Sequence, residues 1–145
     1  MSISELRVGV HRGGAELSDR QKLVAVVDDD ESVRTSLSRL LRAAGYVVAA
    51  FAGGGEFLRS ALTPDCLLLD LDMPQMNGTD VLGHLEGRGI SIPTVVITGS
   101  VKVGSELPVG SARSYSVLRK PFDDQALLDA VAAAIRRGSS PDDGT

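Results

Sequence analysis

Two short apolar runs that each end in aspartates restrict the fold more than any other feature of this chain. Leu23-Val24-Ala25-Val26-Val27 runs into Asp28-Asp29-Asp30, and Cys66-Leu67-Leu68-Leu69 runs into Asp70-Leu71-Asp72. An unbroken apolar run of this length reads as a strand buried on both faces, as in a parallel sheet covered by helices. Neighbouring strands of that kind bring their carboxyl ends to one edge, where open α/β sheets place their ligands. Carboxylates gathered there repel one another unless a cation lies between them. The expected pocket is acidic and rich in oxygen, of the sort Mg²⁺ favours, with Asp70 beside the metal.

The rest of the chain alternates strand and helix. After the strand at residues 23–27, Asp30 is placed to cap a helix with Val33, Leu37, Leu40 and Leu41 on one face. Gly45 ends it as a C′ residue. Residues 46–51 read as a second strand, and Gly53-Gly54-Gly55 breaks the chain before a short helix at 56–62. The strand at 66–70 comes next, then a loop at 73–78 marked by Pro74 and Asn77-Gly78. Val81, Leu82 and Leu85 mark a helix that stops near Gly87 and Gly89. Strands follow at 94–98 and, more weakly, at 117–119. Asp123 is placed to cap a last helix with Leu127, Leu128, Val131 and Ile135 on one face. Strands alternating with helices give an α/β domain with a parallel sheet. Residues 1–21 are a polar extension in which His11 is solvated, 22–137 form the domain, and 138–145 form a polar tail. Between Gly99 and Ser114, where a fourth helix is due, Gly104, Pro108 and Gly110 interrupt the pattern. Proline alone costs ~3 kcal/mol inside a helix, so a loop or a degenerate helix is expected there.

Composition narrows the function classes. A chain of 145 residues is one-domain size. A net charge of −4 gives no general attraction for DNA or an anionic membrane. Aromatics are 3% with no Trp, so a base-stacking platform is lacking too. The single cysteine, Cys66, cannot form an internal disulfide and reads as a small core hydrophobe. No apolar run approaches the ~18 residues of a membrane span, and the N-terminus carries no signal pattern. The expectation is a cytoplasmic protein.

The polar residues at the strand ends form one constellation. Phosphoryl chemistry needs a nucleophile, a cation and donors for the remaining oxygens. Asp70 can be the nucleophile, and Asp28 and Asp29 can hold Mg²⁺ directly or through water. Thr98 offers a hydroxyl at the end of the fourth strand, and Lys120 a point charge after the fifth, with Pro121 behind it. Each has an ordinary explanation alone: a helix-capping cluster, a structural threonine, a solvated lysine. Their joint placement at the carboxyl ends of four strands favours the functional reading.

These motifs resemble the response-regulator receiver domain of two-component signalling. The matching pieces are Val26-Val27-Asp28-Asp29-Asp30, Leu69-Asp70-Leu71-Asp72-Met73-Pro74 with Gly78, Val96-Ile97-Thr98-Gly99 and Leu118-Arg119-Lys120-Pro121-Phe122. Their wording is similar to the nitrogen-fixation and nitrate/nodulation type of regulator. The resemblance implies a flavodoxin-like, doubly wound five-stranded sheet in the order 2-1-3-4-5. It implies that Asp70 is the phosphoacceptor and that Asp28 and Asp29 are the acidic pair, with Asp29 the more direct Mg²⁺ ligand. It assigns to Asp72 a backbone carbonyl that also meets the metal. Thr98 becomes the hydroxyl that moves toward the phosphoryl group, Lys120 the lysine of the site, and Gly99 the small residue that leaves room. The implied partners are a sensor histidine kinase or a histidine phosphotransfer protein and an unnamed downstream protein, with a homodimer one form of output. Such a receiver is a signalling module and not an enzyme.

Two departures from the pattern concern output. Val117 stands where the family usually has Tyr or Phe three residues before the lysine, and the nearest aromatic is Tyr115. The interrupted fourth-helix segment is the other. No stretch the size of a helix-turn-helix follows the receiver, so a stand-alone receiver without DNA binding is expected. Two alternatives stay open. One is a pseudo-receiver that serves only as a protein-binding module. The other is a phosphatase, because Asp70-Leu71-Asp72 is similar to the opening motif of the haloacid-dehalogenase type. Against the latter, Pro74 stands where that motif has Thr or Val, and the Asp28 and Asp29 pair lies upstream.

Overall fold

Residues 21–73, 78–99 and 115–138 are described by a computed structural model. The expected extension up to residue 20 with His11, the loop at 74–77, the interrupted segment at 100–114 and the tail at 139–145 lie outside the described residues.

Strands β1 (Leu23–Val27), β2 (Val47–Phe51), β3 (Cys66–Asp70), β4 (Thr94–Thr98) and β5 (Tyr115–Arg119) form one sheet in the order β2-β1-β3-β4-β5. Every pairing is parallel. Helices α1 (Glu31–Ala43), α2 (Gly54–Ser60), α3 (Gly78–Gly87) and α4 (Asp124–Gly138) complete the described elements. This is the expected five-stranded, doubly wound topology.

Strand alternation divides the core in two. Val24, Val26, Cys66, Leu68, Val95 and Ile97 face α1 and α4, packing on Leu37, Leu41, Leu127 and Val131. Ala25, Val27, Leu67, Leu69 and Val96 face α2 and α3, packing on Phe57, Val81, Leu82 and Leu85. Full burial of each large side chain contributes about 1.5–3 kcal/mol, and both faces of β1, β3 and β4 are used. Cys66 is part of this core, and burial pushes its thiol up to about 12. It is therefore a packing residue and not a thiolate. Among the described residues no helix is long and apolar enough to cross a membrane.

Local chemistry explains where the helices start and stop. The Asp30 carboxylate accepts from the Ser32 and Val33 amides at 2.9 and 3.2 Å and caps α1. Asp123 does the same for α4 through the Ala126 amide at 2.8 Å. α1 closes with Gly45 N–H on the Arg42 carbonyl and Tyr46 N–H on the Leu41 carbonyl. α3 closes alike, through Gly89 on Glu86 and Ile90 on Leu85. Both are Schellman motifs, and both glycines have the positive φ this turn demands, 102° and 73°.

Several element boundaries differ from the sequence expectation, among them the end of α2 at Ser60 rather than residue 62 and the start of α3 at Gly78, which was expected in the loop. Tyr46 belongs to the close of α1, so β2 starts at Val47. α2 starts at Gly54 rather than residue 56, because first-turn amides need no intrahelical partner and Glu56 reaches back to the Ala52 amide at 3.3 Å. β5 begins at Tyr115 rather than residue 117. Full parallel pairing to β4, from Thr94↔Tyr115 to Thr98↔Arg119, overrides its mixed composition. α4 takes in Gly138, expected in the polar tail.

Gly78 fixes how the chain leaves β3. A Cβ there would lie 2.5 Å from Leu71 Cδ2 and 3.1 Å from both the Asp70 carbonyl oxygen and Leu71 Cα. Two of those atoms are backbone and cannot rotate away. Gly78→Ala should therefore destabilise the domain by about 1–2 kcal/mol, since overpacking typically costs more than the ~1 kcal/mol alanine gains in helix propensity. Urea denaturation checks this, and an unchanged or raised midpoint would contradict it.

Candidate functional site

The register sets the site. Val27 pairs with Leu69, and Asp70 pairs with Ile97, so Asp28 emerges level with Asp70 at the carboxyl edge. The ladder continues past the strands, with Leu71 N–H on the Ile97 carbonyl and Lys120 N–H on the Thr98 carbonyl, both 2.9 Å. These bonds bring the ends of β3, β4 and β5 together.

Asp28, Asp29 and Asp70 each place one carboxylate oxygen within 4.8 Å of the others. Asp28 and Asp70 are buried, at 3% and 4% exposure, while Asp29 is exposed. Asp28 Oδ1 accepts the Asp30 amide at 2.9 Å, and Arg34 Nη1 donates to the Asp28 carbonyl at 2.8 Å. Asp70 Oδ1 accepts the Asp72 amide at 2.9 Å and lies 3.6 Å from Lys120 Nζ. Thr98 is fully buried, and its hydroxyl donates to Asp72 Oδ1 at 3.3 Å. The Gly99 amide donates to Asp72 Oδ2 at 3.1 Å, and Lys120 Nζ lies 3.7 Å from the same oxygen. The Lys120–Pro121 bond is cis. A Cβ at Gly99 would lie 4.0 Å from both Asp72 Oδ2 and Lys120 Cδ, so only a small residue leaves the space between them open.

All six sequence candidates meet at this edge: Asp28, Asp29, Asp70, Asp72, Thr98 and Lys120. Asp72 also has a side-chain arrangement that the sequence did not suggest. Beside the backbone carbonyl that the resemblance implies, its side chain links Thr98, Gly99 and Lys120. Sequence reasoning also missed Arg34. Its position one turn past the Asp30 cap was the available signal. Lys120 is within ionic reach of Asp70 and lowers its pKa, but the net shift of that carboxyl is upward. Burial raises the Asp70 pKa and outweighs the lowering by the Asp72 amide and Lys120. Burial likewise pushes Asp28 from 3.8 up to about 6, against the lowering by its hydrogen bond from Asp30. The expected aromatic position holds Val117, which is 40% exposed, while Tyr115 packs against the α2/α3 side of the core.

Fold and site together define a doubly wound α/β domain with an acidic, lysine-bearing pocket at its switch edge. Residues 24–132 match the response regulator receiver domain family. Nodulation protein W of Bradyrhizobium diazoefficiens is 39% identical over 129 residues, covering 87% of this chain and 56% of the relative. Transcriptional regulatory protein FixJ of Azorhizobium caulinodans is 34% identical over 118 residues, covering 80% of this chain and 56% of the relative. The crystal structure of FixJ-N aligns with TM-score 0.71 and 31% identity, over 81% of this chain and 95% of that one. The chain belongs to the response regulator receiver domain family. It spans about half the length of these curated relatives. Receivers are signalling modules that carry phosphotransfer chemistry, with phosphorylation on an aspartate typical.

The raised pKa of Asp28 has a consequence for stability in metal-free protein. A carboxyl whose folded pKa exceeds its unfolded value contributes stability below about 3.8 and loses it as pH rises through about 6. At ~1.4 kcal/mol per pH unit, the cost at pH 7 is on the order of 2–3 kcal/mol. Asp28→Asn keeps the acceptor for the Asp30 amide without the charge. In chelator, wild type should lose stability from pH 4 to pH 7 relative to this variant. Parallel pH profiles for the two proteins would refute the assignment.

Proposed function

We propose that Asp70 accepts a phosphoryl group from a histidine kinase or histidine phosphotransfer protein in an Mg²⁺-dependent reaction. The observation that carries this reading is the triad of Asp28, Asp29 and Asp70 at one sheet edge with Lys120 3.6 Å from Asp70. The donor set fits the metal, because a hard cation takes carboxylate oxygens and relieves the repulsion among them. Asp28 and Asp29 would hold it, with Asp70 and the Asp72 carbonyl completing the protein's share. When bound, Mg²⁺ would neutralise charge on the transferring phosphoryl oxygens.

The chain's own residues then have distinct tasks. An Asp70 carboxylate oxygen attacks phosphorus of a phosphohistidine, a P–O bond forms, and the P–N bond breaks. The imidazole nitrogen keeps the electron pair of that bond and takes up a proton from solvent. Lys120 favours the ionised, nucleophilic form of Asp70 against the effect of burial, and then offers its charge to a phosphoryl oxygen. Thr98 offers a hydroxyl and Gly99 an amide at the same edge. Output would run through protein–protein contact, including a homodimer. The receiver unit would span residues 22–137, and the exchange would take place in the cytoplasm, where a lone buried thiol stays reduced. A second reading, a binding module without phosphorylation, draws on exposed Val117 in the place of the usual ring. The family match favours a receiver over the haloacid-dehalogenase alternative.

Intact mass after incubation with Mg²⁺ and acetyl phosphate separates these readings. The protein should gain one phosphoryl group, and Asp70→Asn should gain none. Asp29→Ala should slow the reaction at least about tenfold, since even outer partners of metal ligands cost that much in metal affinity. Phosphorylation that persists in Asp70→Asn, or proceeds undiminished in chelator, would overturn the proposal.

A further inference from the structure

The Asp72 carboxylate has an arrangement that the proposed chemistry does not require. It is not one of the clustered triad of Asp28, Asp29 and Asp70. It turns instead to the ends of β4 and β5. Its Oδ1 accepts from the Thr98 hydroxyl at 3.3 Å, and its Oδ2 accepts from the Gly99 amide at 3.1 Å. Lys120 Nζ lies 3.7 Å from Oδ2 and 3.6 Å from Asp70 Oδ1, so one ammonium bridges the two carboxylates. A hydroxyl, a backbone amide and an ammonium converging on one anion make an oxyanion site. These are the donors beside Asp70 that an anion attached to it would need.

We propose that the Asp72 side chain is an internal anion that fills the phosphoryl-oxygen site of the unmodified protein and must leave when Asp70 is modified. The inference rests on the functional reading above and adds a competitor within the site. The Thr98 hydroxyl proton and the Gly99 amide are engaged until the carboxylate moves, Lys120 shares its charge with it, and that carboxylate repels an incoming anion meanwhile. Displacement needs only a side-chain rotation. Asp72 sits in the turn after β3, its side chain is 43% exposed, and solvent can receive it. The Asp72 amide can stay on Asp70 Oδ1 while this happens, because the backbone need not move. Loss of the phosphoryl group would let the carboxylate return. Asp72 is thus a residue that sets how readily the site takes up and keeps an anion, acting through Thr98, Gly99 and Lys120.

Beryllofluoride, an anionic phosphoryl analogue, tests this at equilibrium in saturating Mg²⁺. Asp72→Ala should bind it roughly tenfold tighter than wild type, the scale of one charged hydrogen bond. Asp72→Asn, of nearly the same shape, keeps an acceptor without the charge and should fall between them. A second readout needs neither metal nor analogue. The backbone amide resonance of Gly99 should shift in unmodified Asp72→Ala, where its acceptor is gone. Affinity in Asp72→Ala that equals or falls below wild type would overturn the inference while leaving the phosphoacceptor reading intact. Failure of wild type and both variants to bind would overturn that reading, and this inference with it.

Discussion

Burial of two carboxylates at the end of a parallel sheet is the constraint on which the rest of the site depends. Asp28 and Asp70 are nearly inaccessible, and water cannot solvate them as it would on the surface. The fold compensates in part with the Asp30 amide on Asp28 and the Asp72 amide on Asp70. Those bonds do not balance the loss, since both pKa values stay raised. An exposed third carboxylate, Asp29, adds negative charge to the same spot. A set of acids that is destabilised when ionised favours whatever supplies positive charge. Lys120 does so from one side, and the proposed metal would do so from the other.

The parallel sheet makes this arrangement inevitable once the register is fixed. Its central strands β1, β3 and β4 are apolar between their ends because helices cover both faces, so their polar residues appear only where the strands end. Gly78 then allows α3 to start close against the turn that holds Asp70, Leu71 and Asp72. A side chain at that point would push on the backbone whose amide supports Asp70. Packing and chemistry are joined at that single position.

Much of this was legible in the sequence because the signals were local and redundant. Apolar runs ending in Asp28 and Asp70 gave the strands and the edge, and Asp30 and Gly45 marked the limits of α1 with the cap and turn chemistry the structure shows. The misread boundaries were those set by tertiary pairing. β5 reaches back to Tyr115 because β4 supplies a partner for each residue, a fact no propensity carries. The net direction of the Asp70 shift was not legible for a related reason. Lys120 was visible in the sequence, but the depth of burial that outweighs it is a property of the packed sheet. The side-chain role of Asp72 was hidden likewise, since it depends on which way one turn residue faces.

The most direct test of the account is thermal unfolding of unmodified protein at rising Mg²⁺ concentration, at pH 7.5 and at pH 5. If buried, ionised carboxylates create the cation site, the melting temperature should climb with one-site saturation at pH 7.5. The climb should shrink at pH 5, where Asp28 is largely protonated. No rise at pH 7.5, or an equal rise at both pH values, would contradict the claim that this edge is a cation site made by desolvated aspartates.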